Sequence, residues 1–531
     1  MPVVPVRDLV GGGGANLDVS PDDLPMNSFN NIINGRFSRN RIERFGGNEL
    51  YQDPTTNPEV ANGTTIWNII RNGVEGFLLT TSTTVLIDIG AGYVDVTPTA
   101  GIVNSNEWLM EQYGDWIILT TIEGNQEPIV LDPTGGVFEP FTNWRPGFQA
   151  AKIFGYKNFL VAIGIELNNN PENGLVFWSD VVNEDILQDV AWDPADPTSL
   201  AGENVLPSFD GLIRDAGVLR DSGILYTDTS VWRMDPTNAT AGAFPLVFNF
   251  RIIFQDDGIL DARCWEEVNG RHYVVGIYDI YIHDGFNKQS ISDNRVTEFF
   301  FDRIGTSTFA FMAHYQRPQE IIISYSSRGA SVADEALIYN YFYGTWTRFV
   351  IGDTAGQYSH LILAPEFVNN VQSWADAQVD NTQWSDVNNS SWDSLFPQNR
   401  NRIPYVLVPS TSSIFFIDRN TTASMSVDLF IERLDLDLDE VFNKNRSIKH
   451  IKRFMPQARG DGEITIQFGG RNALGEQIVW DTERVYNLIT DYKFDLRISY
   501  RYPAFRIRQG TNGNALTLTG YDIEVMEVSF R

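Results

Sequence analysis

The 531-residue sequence predicts an all-β protein: a β-propeller with an N-terminal extended strap and a small C-terminal β-sandwich-like domain. Three observations predict it. The chain carries 34 Phe, 20 Tyr and 13 Trp beside 43 Gly and 24 Pro, which pairs strand-forming aromatics with turn-forming residues. Short apolar runs bounded by Gly, Pro, Asn or Asp recur over several hundred residues, with no long amphipathic helix among them. Many of these runs form successive hairpins, the sequence form of propeller blades, whose edges are protected when the ring closes. A hydrophobic content of 43% excludes a mainly disordered chain, and the length alone suggests two or three domains unless a closed repeat stretches one of them.

The strap spans residues 1–50. Gly13-Gly14-Ala15-Asn16-Leu17-Asp18-Val19-Ser20-Pro21-Asp22-Asp23-Leu24-Pro25 reads as extended, because Pro21 and Pro25 lack an N–H and turn Ser20 and Leu24 away from helical dihedrals. Asn34-Gly35 marks a tight reversal, followed by Arg36-Phe37 and Arg44-Phe45-Gly46-Gly47. Gly11 to Gly14 reads as a flexible hinge, since a phosphate-binding loop needs a strand before it and a helix after it.

Residues 51–420 are the predicted propeller. Runs such as Phe77-Leu78-Leu79, Trp116-Ile117-Ile118-Leu119 and Phe159-Leu160-Val161-Ala162-Ile163 are separated by turn residues. The pairs Arg271 to Gly276 with Ile280 to Gly285, and Glu320 to Tyr325 with Ala336 to Asn340, read as hairpins. Blade number stays open within the usual span of about 4 to 8. A Trp/Asp-rich loop at 370–400 contains Trp374-Ala375-Asp376, Trp384-Ser385-Asp386 and Trp392-Asp393. It reads foremost as a surface loop pinned by its own aromatics, with a neighbouring-subunit contact and a sugar-stacking platform as the other readings. Composition shifts near Asn420, and residues 421–531 alternate with period two, as in Phe494-Asp495-Leu496-Arg497-Ile498, which gives sheets with one buried face.

Charge is unevenly distributed. The net charge is -29, which argues against a DNA binder that neutralises phosphates with Lys and Arg clusters. From Thr421 onward there are 15 basic and 16 acidic residues, leaving 24 basic and 52 acidic before it. The acidity therefore belongs to the strap and propeller. Solubility accounts for it most simply; around a ring's pore it would instead repel passing phosphates. Cys264 is the single cysteine, so neither an intrachain disulfide nor a thiolate metal cluster is expected. Met1 to Leu9 has no apolar core of signal-peptide length, and no membrane-spanning apolar run occurs. The expectation is synthesis in a cytoplasm and no membrane insertion.

Catalytic signals are weak. Leu434-Asp435-Leu436-Asp437-Leu438-Asp439-Glu440 reads as a solvated strand face before it reads as a cation site. His272, His283, His314, His360 and His450 lack metal-ligand spacing, although His272 and His283 would approach one another across adjacent strands. Arg459-Gly460-Asp461-Gly462 reads as a hairpin turn. Neither a nucleophile elbow nor a phosphate-binding loop is present, and repeated Asp-box turns of the sialidase kind are not found. No enzyme activity, catalytic residue, cofactor or metal is expected.

The strap from Gly14 to Gly47, the Tyr339-Asn340 to Trp346 blade ending, the Trp374 to Trp392 loop and the Tyr521 to Arg531 terminus, in that order on an acidic all-β chain, resemble the tail nozzle or tail tubular proteins of short-tailed bacteriophages (podoviruses), also called packaged-DNA stabilisation proteins. The resemblance implies a homo-hexameric ring of propellers in the virion tail, below the portal and its adaptor. That ring would bind the adaptor and tail fibres or spikes, retain packaged DNA and conduct it during ejection without sequence-specific contacts. Asn16, Leu17, Asp18, Pro21, Leu24, Pro25, Phe29, Asn34, Arg36 and Gly46 are the implied strap residues, tying a subunit to itself or to a neighbour. The rivals are a glycan-binding or glycan-cleaving propeller (tail spike, lectin or glycosidase) and a virion component that binds only protein.

Overall fold

Successive hairpins too short to bury their own faces stack side by side, and the stack closes on itself. The computed structural model describes residues 2–529 except 91, 106, 183–186, 207–210, 238–239, 242–243, 246, 305–308, 351–356, 366–401, 420–426, 443–446, 461 and 511–515. Among the described residues the fold is all-β: a seven-bladed propeller, a strap and a C-terminal β-sandwich. The Trp/Asp-rich loop lies outside the described residues.

The innermost strands of blades 1 to 7 are Gly63–Arg71, Trp108–Tyr113, Phe148–Tyr156, Ile213–Leu219, Trp265–Val268, Ala310–Tyr315 and His360–Pro365. Each opens an antiparallel meander. Neighbouring blades share apolar clusters: Leu78 with Trp108 between blades 1 and 2, Phe177 with Trp116 between 3 and 2, Val176 with Leu225 between 3 and 4. Blades 4, 5 and 6 share a larger cluster containing Tyr226, Tyr281 and Ile323; Phe311 and Val406 join 6 to 7. Ile66 and Leu79 against Tyr405 and Leu407 complete the circle between blades 1 and 7.

The strap provides the clasp. Strand Gly47–Gln52 is the fourth strand of blade 7, antiparallel to Ser413–Arg419 with Leu50 opposite Phe415. The last blade is thus finished by a strand from before the first, which removes an open sheet edge at the seam. Strand Asn31–Ile33 pairs parallel to Thr345–Phe349 of blade 6 on one side and antiparallel to Leu429–Arg433 on the other. It welds blade 6 to one sandwich sheet, which continues through Tyr502–Gln509 and Glu463–Arg471. The opposing sheet contains Ile448–Arg459, Phe494–Tyr500 and Thr517–Ser529, with strap strands Val3–Val6 and Arg41–Arg44 paired to Thr517–Ser529. Between the sheets, Phe454, Phe468, Phe505 and Tyr521 pack with ring centroids 5.0–5.8 Å apart.

Several expectations need correction. The chain reversal lies at Arg39-Asn40, both in the left-handed region (φ 47 and 63), as the tight hairpin between Gly35–Ser38 and Arg41–Arg44 requires. Asn34 (φ 57) instead passes the chain from one sandwich sheet to the other. Pro21–Asp23 forms one 3-10 turn, while Ser20 and Leu24 are extended. Strands Ile448–Arg459 and Glu463–Arg471 lie in different sheets, so Arg459-Gly460 begins a crossover and not a hairpin; Asp461 is outside the described residues. Leu434 to Leu438 is not a strand. Asp435 is buried against Arg471, and the Asp439 carboxylate lies 2.5 Å from the buried Lys449 ammonium, so these acids serve internal ion pairs and not a wet face.

Candidate functional site

Two constellations stand out: the strap's anchors and a cavity on the propeller axis. The strap is anything but a hinge at its glycines. Gly14 (φ 83) runs beside blade 6, where Ala15 N–H donates to Trp346 O at 2.8 Å; a Cβ on Gly14 would sit 2.6 Å from that oxygen. Only glycine combines this dihedral with this approach.

Eight of the ten sequence-predicted strap residues contact elements beyond the strap, while the hydrogen bonds of Asn16 and Pro25 stay within it. Asn16 N–H donates to Phe29 O at 2.9 Å, and its side-chain amide to Gly12 O at 3.2 Å. Leu17 N–H donates to Arg295 O at 2.6 Å, and its side chain packs against both the sandwich core and the blade 4–6 core. Asp18 accepts from Glu298 N–H (2.9 Å) and Phe299 N–H (2.8 Å), capping the helix Thr297–Ile304 from a distant part of the chain. The carbonyls of Pro21 and Leu24 each accept from the buried Arg433 guanidinium at 2.7 Å, and Pro25 O accepts from Ser28 N–H at 3.0 Å. Phe29 is fully buried in the sandwich core. Asn34 donates to Asp428 O and accepts from Val350 N–H, both at 2.9 Å. Arg36 grips Glu320 of blade 6 at 2.8 and 2.9 Å and Asp418 of blade 7 at 2.7 Å. Gly46 N–H donates to the same Asp418 at 2.9 Å. Replacing Asp18 with alanine is expected to cost about 1 kcal/mol, read as faster hydrogen exchange confined to residues 297–304; unchanged exchange there would contradict the cap.

Sequence reading missed the axial cavity. It occupies about 270 Å³ and takes lining residues from the innermost strand of every blade, among them Trp67, Met110, Lys152, Asp215, Glu266, Phe311 and His360. Asp215 is fully buried; it binds the Lys152 ammonium and accepts from Arg263 N–H at 2.7 Å. The Arg263 guanidinium meets His360 Nε2 at 2.8 Å and Glu107 at 3.6 Å. Burial, then Arg263, hold the His360 ring well below its ordinary pKa and hence neutral. Burial followed by repulsion from Glu267, against the pull of Lys152, pushes the Glu266 carboxyl up to about 8. Burial and then Glu107 push Asp261, next to this network in sequence, up to about 7. Seven separate strands contribute, so no local motif could have announced the site. Its volume matches one small molecule and is too small to thread a polymer.

The histidines are tied into the structure. His272 and His283 are direct cross-strand partners, and both bond the Tyr226 hydroxyl, at 2.6 and 2.7 Å. Burial lowers their pKa values to about 4 and about 3. Because both are depressed below 6.5, they stay neutral in the fold while the unfolded chain gains protons as pH falls. The urea midpoint is expected to drop from pH 6.5 toward 4, with neither ring titrating by NMR above pH 5; titration of either near 6.5 would refute this. Among the described residues no group of three or more His, Cys, Asp or Glu is placed to hold a metal.

Fold and site together define a strap-closed, seven-bladed propeller fused to a β-sandwich, with a small cavity of mixed apolar and charged lining on its axis. No protein-family model and no curated protein matches the chain. Among solved structures it is similar to apo AztD from Citrobacter koseri (11% identity, TM-score 0.32, 57% of this chain and 77% of that one). It is also similar to the extracellular domain of the putative one component system BT4673 from B. thetaiotaomicron (12%, 0.32, 62% and 47%) and to the dihydro-heme d1 dehydrogenase NirN (8%, 0.33, 56% and 58%). Similarity this slight assigns no activity, and the blade count rests on this chain's own strand order.

Proposed function

We propose that the protein is a structural virion component: the subunit of a hexameric tail nozzle of a short-tailed bacteriophage, made in the host cytoplasm, which retains packaged DNA and conducts it during ejection. The observation that carries this reading is the strap. The segment that bears the resemblance, Gly14 to Gly47, is the one that fastens propeller to sandwich and leads into the strand closing the ring of blades. It ties propeller and sandwich together within one chain, and heterologous interfaces between identical copies of such a chain generate a ring when the rotation closes. The acidity of the first 420 residues would let DNA pass such a ring without adhering. Portal adaptor and fibres or spikes are the partners this role requires. A glycan-cleaving propeller is supported less well: of the carboxylates lining the axial cavity, Asp215 is committed to Lys152 and Arg263, whereas glycoside hydrolysis needs two available carboxyl groups.

Native mass spectrometry with negative-stain imaging of the purified protein tests the reading. A six-membered ring is expected, or a cone at the tail when virions are imaged. A discrete monomer that hydrolyses an oligosaccharide would overturn it.

A further inference from the structure

The axial cavity has the attributes of a ligand site independently of any ring. Its backbone is distorted where the polar groups converge. Arg263 adopts φ 67, a left-handed conformation that costs a non-glycine residue free energy and persists where the surroundings enforce it. The strand Ile213–Leu219 is irregular between Ile213 and Asp215, a bulge that re-aims a side chain. Together these place Asp215 between Lys152 and Arg263.

The charges are answered from within. Lys152 is neutralised by Asp215, and Arg263 faces Glu107 and a neutral His360. Glu266 lines the cavity and has no side-chain hydrogen-bond partner among the described residues. Burial, then Glu267, push its carboxyl up to about 8, which favours the protonated acid, able to donate one hydrogen bond and accept another. A charged ligand would lose hydration and find no unpaired counter-charge, whereas hydroxyl groups would find both donors and acceptors. Trp67, Trp265 and Phe311 supply apolar wall, suited to the C–H faces of a saturated ring. The volume, about 270 Å³, is below that of drug-sized sites and fits a single six-membered ring with its substituents.

We infer that the cavity on the propeller axis binds one uncharged, hexose-sized polyol, with Glu266 as a hydrogen-bonding partner and the aromatic residues as its walls.

The test uses the full-length protein and ligand-observed NMR with a panel of neutral methyl hexopyranosides (gluco, galacto, manno and the 2-acetamido forms), with glucuronate and choline as charged comparisons. At least one neutral glycoside is expected to bind one per chain, about tenfold or more tighter than either charged probe. Glu266→Gln, which keeps a donor and an acceptor, is expected to retain that affinity within about threefold, and Glu266→Leu to lose about tenfold or more. Absence of binding across the panel, preference for a charged probe, or unchanged binding in Glu266→Leu would each overturn the inference. The panel and probe comparisons are made on the unaltered protein, so they decide the matter even if the leucine variant misfolds. None of these outcomes alters the mass of the assembled particle, by which the ring is judged separately.

Discussion

Replacing Arg36 with methionine is expected to destabilise the protein by about 3–5 kcal/mol, the cost of removing one partner from a buried ionic cluster. Arg36 is the only cation contacting Glu320 and Asp418 among the described ion pairs, and all three side chains are largely buried. Its guanidinium also lies 4.1 Å from the face of Phe45. Burial works against its charge, but Asp418 and Glu320 outweigh burial and hold it protonated beyond the ordinary range. Burial already raises the Glu320 carboxyl despite Arg36. Without the cation, the Glu320 carboxyl rises further above its unfolded value. A raised folded-state pKa gives stability below the unfolded pKa and loses it as pH rises, so the deficit of Arg36→Met should be smaller at pH 5 than at pH 8. Arg36→Lys should recover only part of the loss, because an ammonium cannot make the two-pronged contact with Glu320. Chemical denaturation at both pH values is the measurement; a deficit under about 1 kcal/mol, or one that grows on acidification, would show that the strap does not depend on this cluster.

Asp215→Asn is the second large effect, expected to cost about 3 kcal/mol. The amide matches the carboxylate in shape but leaves the Lys152 ammonium without its counter-charge. Asp215 joins blades 3, 4 and 5 at the axis through Lys152 and Arg263 N–H, so the loss falls where the blades converge. Lys152→Met combined with Asp215→Asn should be less destabilised than the two single losses added together, since the double variant buries no unpaired charge. Strict additivity in urea denaturation would mean that the pair is not coupled.

Much of the scaffold is legible locally. The runs Phe77-Leu78-Leu79 and Trp116-Ile117-Ile118-Leu119 fall inside strands Val74–Thr81 and Trp116–Thr121, because apolar runs this short, rich in aromatic and β-branched residues and flanked by turn residues, favour strands buried on both faces over helices. The alternation of Phe494 to Ile498 appears as a strand with alternately buried and exposed residues. The pairing of His272 with His283 follows from a short hairpin, whose turn fixes the register. The acidic alternation at Leu434 to Glu440 misled for an instructive reason. Period two describes a strand only if solvent takes the polar side, and here Arg471 and Lys449 approach from other strands and take Asp435 and Asp439 inward.

The sequence by itself determined the fold class, the presence of a strap without helix, and the unequal distribution of charge, since each follows from composition, turn residues or periodicity within a short window. Tertiary structure alone decided that the blades number seven, that the last is completed by Gly47–Gln52, that Arg36 bridges blades 6 and 7, and that seven distant strands line an axial cavity. The physical reason is separation along the chain. Hydrogen bonds between neighbouring strands are written in adjacent residues, whereas ring closure and axial convergence bring together groups hundreds of residues apart, whose meeting depends on how every intervening blade packs.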